Sequence, residues 1–83
     1  MPTIAIFNGI KIEMYADEHR PPHFHARYAE FVAQIIIADL ELREGSLPLP
    51  QLRQVREWAA TRTEALLVEW ERVELGNNPR KVP

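Results

Sequence analysis

Residues 23–36 read HFHARYAEFVAQII, and this stretch decides the predicted fold. Apolar and polar side chains alternate through its first half, which is the period of a β-strand with one buried face. A two-residue turn at Ala29-Glu30 folds the stretch into a hairpin and fixes which residues face each other. One face of the hairpin then carries Phe24, Ala26, Tyr28, Phe31, Ala33 and Ile35. The opposite face carries His23, His25 and Arg27.

This register depends on Ala29. A two-residue hairpin turn requires a positive φ at this position, and that conformation costs Ala more than it costs Gly or Asn. The alternative is a longer or bulged turn, which would shift the register.

A second hairpin is predicted before the first. Residues 3–7 (TIAIF) are β-branched and aromatic, and Asn8-Gly9 follows them as a two-residue turn signal. Residues 10–15 (IKIEMY) alternate cleanly between apolar and polar side chains. Residues 16–22 contain two consecutive prolines, which cannot donate to a strand ladder, so we expect a stiff loop there.

The period of the apolar residues changes after residue 37. Residues 38–48 (ADLELREGSLP) contain a short alternating piece that could add a fifth strand. From Pro50 an apolar stripe with steps of three and four residues indicates a helix. A straight helix over 50–75 would be about 39 Å long, longer than the roughly 30 Å diameter of such a domain. We therefore expect either a kink near Ala60-Thr61 or a projecting end.

These patterns together predict an α+β fold. A mostly antiparallel sheet of four or five strands within residues 3–44 is packed by one long or kinked C-terminal helix over about 50–75. The 83 residues form a single domain over 1–83, with a frayed tail over 77–83.

Composition narrows the classes of function. A net charge of −2 argues against a surface built as a whole to hold nucleic acid. The chain has no cysteine, so thiolate zinc sites and disulfides are excluded and a cytoplasmic location is expected. No basic leader and no apolar run of about 20 residues is present, so we expect no membrane association.

Several motifs give the chain a family resemblance. They are Met1-Pro2-Thr3-Ile4, Glu18-His19, Pro21-Pro22-His23-Phe24-His25 with Tyr28, Gly45-x-Leu47-Pro48 and Glu57-Trp58-Ala59. With them the chain resembles, over almost its whole length, the small bacterial proteins of domain of unknown function 4160. The resemblance implies no established activity. It implies a gene arrangement typical of toxin and antitoxin pairs, and a Gly where this chain has Ala29.

All three histidines lie within residues 19–25. His23 and His25 are two apart on a strand, so their side chains leave the same face roughly 7 Å apart at the backbone. They could share a divalent transition-metal ion such as Zn or Ni, or a Cu ion. The third ligand would be His19, or one of Asp17, Glu18 and Glu13. The sequence establishes no cofactor beyond this candidate.

The same residues also suit acid–base catalysis. His23 and His25 could transfer protons in a small, metal-independent, RNase-like enzyme that cleaves phosphodiesters, with Arg27 or Arg20 holding the phosphate. RNA as a partner has little support in composition, because the acidic chain has no long basic stripe.

A third interpretation makes the loop a contact surface. Apolar residues on both faces of residues 31–38 (FVAQIIIA) favour a homodimer or a complex with the product of a neighbouring gene. We therefore expect an interaction module of a toxin–antitoxin-like pair, with the 17–28 segment as its binding surface. Its binding residues would be Glu18, His19, Arg20 and Tyr28. Alternatively, the histidines are simply solvated or stack on Tyr15. Enzymatic activity stays open.

Overall fold

The structure, a computed structural model, describes residues 3–16 and 18–83. Five antiparallel strands lie in the order β1-β2-β3-β4-β5. They are β1 (Thr3–Phe7), β2 (Ile10–Glu13), β3 (His23–Tyr28), β4 (Phe31–Ile36) and β5 (Leu42–Gly45), followed by helices α1 (Leu49–Ala60) and α2 (Thr63–Glu74). The predicted α+β class and antiparallel sheet are confirmed. The Met1-Pro2 start and the candidate ligand Asp17 lie outside the described residues.

The hairpin of β3 and β4 has the predicted register. Tyr28 lies opposite Phe31 and Phe24 opposite Ile35, across a two-residue turn. Ala29 adopts a φ of 51°, so the turn keeps its length despite the cost to an alanine. His23, His25 and Arg27 therefore leave the same face of β3.

The first hairpin brings β2 beside β3. Asn8 and Gly9 both adopt a positive φ in the turn, as expected for this dipeptide. Ile12 lies opposite Ala26 and Glu13 opposite His25. Glu13 of β2 therefore lies next to His25, one of the two histidines on β3.

The fifth strand pairs with β4 through an irregular register. A shift between Gln34 and Ile35 interrupts the ladder, and Gln34 lies opposite Glu44. Gly45 adopts a φ of 76°, and a Cβ at this position would lie 2.0 Å from the carbonyl oxygen of Val32. Only glycine fits there, so Gly45 holds β5 close against β4.

Two helices replace the one long or kinked helix of the prediction; the single helix is corrected, and the break lies beside Ala60-Thr61, where a kink was expected. The chain leaves the helical conformation at Thr61-Arg62, and Arg62 adopts a φ of −130°. Its guanidinium donates to the carbonyl oxygen of Trp58 over 2.7 Å, which ends α1. Since the longest extent of the molecule is 33 Å, the break keeps both apolar stripes over the core. No helix in the described ranges has the length and apolar composition to span a membrane.

The C-terminal tail is packed, which differs from the frayed end expected over 77–83. Val82 is buried, and its N–H donates to the carbonyl oxygen of Ile4 over 2.8 Å. Arg80 binds Glu69 of α2, with 2.9 Å between Nη2 and Oε2. The open edge of β1 offers backbone acceptors, and this explains why a short polar tail finds a place there.

Candidate metal centre

Three side chains that can bind a metal converge at the start of β3. They are Glu18, His23 and His25, and their candidate ligand atoms lie within 4.8 Å of one another. Glu18 Oε1 is 2.5 Å from His25 Nε2 and 3.5 Å from His23 Nε2. One carboxylate oxygen therefore faces two imidazole nitrogens.

Strand alternation and the loop before β3 together build this group. His23 and His25 share a face because they are two apart on β3. The loop returns Glu18 over that face and then enters the ladder, where Ile37 N–H donates to the carbonyl oxygen of Pro22 over 3.0 Å. The carbonyl oxygen of Pro21 lies 2.8 Å from His23 Nδ1. A carbonyl oxygen can only accept, so His23 donates through Nδ1, and its Nε2 faces Glu18.

The three residues differ in their access to solvent. The side chain of His23 is 1% exposed, that of His25 13% and that of Glu18 28%. His23 lies between other rings, with its centroid 5.2 Å from that of Trp70 and 5.6 Å from that of His25. A ligand from solution would therefore reach the group from the Glu18 side.

Glu18 is ionised at neutral pH. Partial burial alone would raise the pKa of this carboxyl, but the hydrogen bond and the charge of His25, followed by those of His23, outweigh burial and hold the pKa below its usual range. The group therefore offers an anionic oxygen beside two imidazoles, which is a mixed ligand set typical of zinc and nickel sites.

A second group of polar side chains lies next to Glu18, His23 and His25. Glu13 is fully buried, accepts a hydrogen bond from the Tyr15 hydroxyl at 2.6 Å, and lies 3.4 Å from Arg27 Nε. Burial raises the pKa of Tyr15, and the hydrogen bond to Glu13 adds to the increase. The rings of Tyr15 and His25 lie nearly perpendicular to each other, with centroids 4.7 Å apart. Arg27 therefore balances Glu13, and Tyr15 connects this pair to the group of Glu18, His23 and His25.

Arg43 is a site residue that the sequence patterns missed. Its Nη1 lies 2.8 Å from Gln34 Oε1 and 3.4 Å from His23 Nε2. A signal was available, because Arg43 alternates with the apolar Leu40 and Leu42 in the predicted fifth strand. The irregular pairing between β4 and β5 hid its position relative to His23.

The other predicted site residues lie outside the three-residue group. His19 is exposed, and Glu18, one of the alternatives, lies beside the other two histidines instead. Arg20 pairs with Glu74 at 2.9 Å and has a side chain that is 63% exposed. Tyr28 lies at the far end of β3 and packs against the core. The 17–28 segment is thus divided between an inner group and an outer surface.

The distances can be compared with what a metal ion needs. A tetrahedral ion with bonds of about 2.0–2.1 Å separates its ligand atoms by roughly 3.4 Å. The spacing of 3.5 Å between Glu18 Oε1 and His23 Nε2 already fits. The hydrogen-bond contact of 2.5 Å between Glu18 Oε1 and His25 Nε2 would have to lengthen by about 1 Å to admit an ion. A small rotation of the partly exposed Glu18 side chain would achieve this.

Comparison with known proteins gives a family for the chain. No curated protein and no solved structure matches it. The family model described as domain of unknown function (DUF4160) matches residues 9–71. This range covers most of the chain and includes Glu18, His23, His25 and Arg43. The chain therefore belongs to the DUF4160 family.

Proposed function

We propose that this protein binds one divalent transition-metal ion of the zinc or nickel type. The ligand atoms are Glu18 Oε1, His23 Nε2 and His25 Nε2. The observation that carries the proposal is the convergence of one carboxylate oxygen and two imidazole nitrogens within 4.8 Å, with Glu18 Oε1 3.5 Å from His23 Nε2. A cation between these atoms would be bonded by all three.

The surroundings of His23 support this assignment. Ligating histidines usually donate their second ring N–H to a carbonyl or carboxylate, which fixes the tautomer and the ring orientation. His23 does this with the carbonyl oxygen of Pro21, and its burial keeps water from competing for Nε2. The two nitrogens favour zinc or nickel over magnesium or calcium, which prefer oxygen ligands.

Three protein ligands leave one coordination position for water or another molecule. Structural zinc sites are closed by four protein ligands, whereas sites that act on a substrate keep a position open. Glu18 is the most exposed of the three ligands, so the open position faces solvent on its side. The proposal therefore favours a metal site that can bind a further molecule over a closed site that only stabilises the fold.

Metal titration of the purified protein tests the proposal. We expect calorimetry with zinc to give one ion per chain. His25→Gln and Glu18→Gln should each weaken binding by more than the ~10–100-fold that second-sphere partners contribute. His19→Gln is the matched control, since His19 is exposed in the same loop and should leave the affinity unchanged. Equal affinities in all four proteins would overturn the proposal.

Phosphodiester cleavage is the second candidate function. It is favoured by Arg43, whose guanidinium lies beside His23, where a cation would stabilise a developing phosphorane. Arg27, one of the two arginines predicted to hold the phosphate, is engaged with Glu13 instead. RNA loss that persists with a chelator but stops in His25→Gln would favour metal-free acid–base catalysis. RNA loss that stops with the chelator would assign the cleavage to the metal.

The interaction-module proposal concerns the outer surface of the same segment. His19 and Arg20 are exposed and lie outside the metal group, so they are available to a protein partner such as a second copy or the product of a neighbouring gene. A toxin–antitoxin-like pair in the cytoplasm would use the protein in this way. Light scattering and co-purification with His19→Ala and Arg20→Ala test it, and a strict monomer without a partner would contradict it.

A further inference from the structure

Arg43 has an arrangement that the metal site alone does not explain. It is an exposed residue of an edge strand, yet its Nη1 reaches within 3.4 Å of Nε2 of the buried His23. A second contact of 2.8 Å, from the same nitrogen to Gln34 Oε1, holds the guanidinium in place. The positively charged guanidinium of Arg43 therefore lies beside His23 Nε2, the nitrogen that would bind the proposed metal.

Metal binding creates an excess of positive charge at this point. An ion bonded to His23 Nε2 at about 2.1 Å lies within roughly 6 Å of Arg43 Nη1. One carboxylate and two neutral imidazoles leave a dication with one net positive charge, and Arg43 adds a second. The neighbouring Glu13 does not compensate, because Arg27 already balances it.

We infer that Arg43 and the open metal position together form a seat for a phosphoryl group. This inference rests on the proposed metal site. A phosphate group can give one oxygen to the ion and two to the guanidinium fork, whereas a carboxylate has only two oxygens to share. Its two negative charges at neutral pH match the excess positive charge of the site.

The free edge of the guanidinium supports this assignment. In the described part of the chain, both hydrogen bonds of Arg43 use Nη1, and none uses Nε or Nη2. Those two nitrogens form the fork that pairs with two phosphate oxygens. Because β5 is exposed along its whole length, a phosphate on a small molecule can approach from solvent.

Arg43 should act on the metal in opposite directions with and without phosphate. Without phosphate it repels the ion and weakens metal binding. With phosphate bound between them, the two cations are bridged, and each ligand raises the affinity for the other by the same factor. A residue with a purely structural role would not produce this reversal.

The experiment measures zinc affinity at controlled free zinc, with and without inorganic phosphate, in the wild type and Arg43→Gln. We expect Arg43→Gln to bind zinc severalfold more tightly than the wild type without phosphate. Phosphate should tighten zinc binding of the wild type by at least ~5-fold, the lower range of typical couplings, and leave Arg43→Gln unchanged. Arg53→Gln, an exposed arginine of α1, is the matched control and should behave as the wild type.

Further arms separate the chemistry of the anion. Methyl phosphate should reproduce the effect of inorganic phosphate, while acetate should not; an equal effect of acetate would overturn the phosphoryl assignment. Arg43→Lys keeps the charge without the fork, so it should bind zinc as the wild type does and lose most of the phosphate response.

The two proposals fail in different ways. If the wild type binds zinc and phosphate does not change its affinity, the phosphoryl seat is wrong and the metal site stands. If the wild type does not bind zinc, both fall. Circular dichroism of each variant establishes that the fold is kept.

Discussion

Two carboxylate groups of this protein, the buried Glu69 and the partly exposed Glu18, have very different hydrogen-bond partners. Glu69 on α2 accepts hydrogen bonds from Arg80 N–H at 2.7 Å, Nε at 3.1 Å and Nη2 at 2.9 Å. Glu18 meets two imidazoles through a single oxygen, and one of these contacts is 3.5 Å long. The first group is complete without a ligand. The second is arranged for one, so the completeness of hydrogen bonding separates a structural pair from a candidate site.

The largest expected difference between the two regions is in metal affinity. Glu18→Gln should weaken zinc binding by about 100-fold or more, because a direct ligand is lost. Glu69→Gln removes the same charge at a carboxylate that is not one of the converging ligand groups, and it should leave zinc affinity unchanged. Calorimetric titration of both variants tests this contrast, and similar losses of zinc affinity in both would contradict it.

The free energy of unfolding, in contrast to zinc affinity, should respond most to changes at the Glu69 pair. Arg80→Ala leaves the Glu69 carboxylate, whose side chain is 6% exposed, without its main partner. We expect a loss of about 2 kcal/mol in the free energy of unfolding, below the full cost of breaking a buried pair because the side chain of Arg80 is 59% exposed.

Arg20→Ala is the control for this loss. It breaks an exposed pair with Glu74 and should cost no more than about 0.5 kcal/mol. Urea denaturation measures both variants, and a larger loss in Arg20→Ala would contradict the comparison.

The pair at Glu69 should also weaken in acid. Burial alone would raise the pKa of Glu69, but the hydrogen bonds and charge of Arg80 outweigh burial and lower it. A carboxyl with a folded pKa below its unfolded value contributes stability at neutral pH. The contribution begins to fall below the ordinary pKa of 4.5 and is lost as the pH falls through the lower folded value. The stability gap between the wild type and Arg80→Ala should therefore narrow on acidification.

The smallest effect is expected at the hairpin turn that places the histidines. Ala29→Gly relieves a φ of 51° but makes the unfolded chain more flexible, so we expect a gain of only about 0.5 kcal/mol. Zinc affinity should not change, because strand alternation and pairing set the histidine face. Ala38→Gly, at an exposed position with no positive φ, is the control and should not stabilise. A change in zinc affinity in Ala29→Gly would mean that the turn itself shapes the site.

The sequence predicted the sheet well because strand alternation is a local signal. The pairing of Phe24 with Ile35, and the shared face of His23 and His25, follow from side-chain period and turn length alone. The helix break was expected near Ala60-Thr61 from helix length alone, because the apolar stripe continues through Thr61-Arg62 without a Gly or Pro to mark it. At the break, Arg62 donates to the carbonyl oxygen of Trp58, four residues back, and also to that of Pro83 at 2.6 Å, a long-range contact that no local pattern predicts.

The candidate site was predicted in part. The two histidines came from spacing, but the position of Glu18 depends on how a proline-containing loop folds back, and no periodicity encodes that path. Arg43 reaches His23 only because an irregular register connects β4 and β5. Residues on the same strand were therefore predictable, and residues brought by loops or bulges were not.

The tail that lies along β1 has a consequence for solubility. An open strand edge invites a second chain to pair with it, and proteins usually block such edges with charge or with a covering segment. Here Arg43 and Glu44 place charges on β5, the strand at one edge of the sheet. At the other edge, the N–H of Val82 donates a hydrogen bond to the carbonyl oxygen of Ile4 in β1. A fusion tag or deletion that displaced Val82 would uncover β1. Aggregation through β1 would then be the first defect, and it would appear before any change at the candidate metal site on β3.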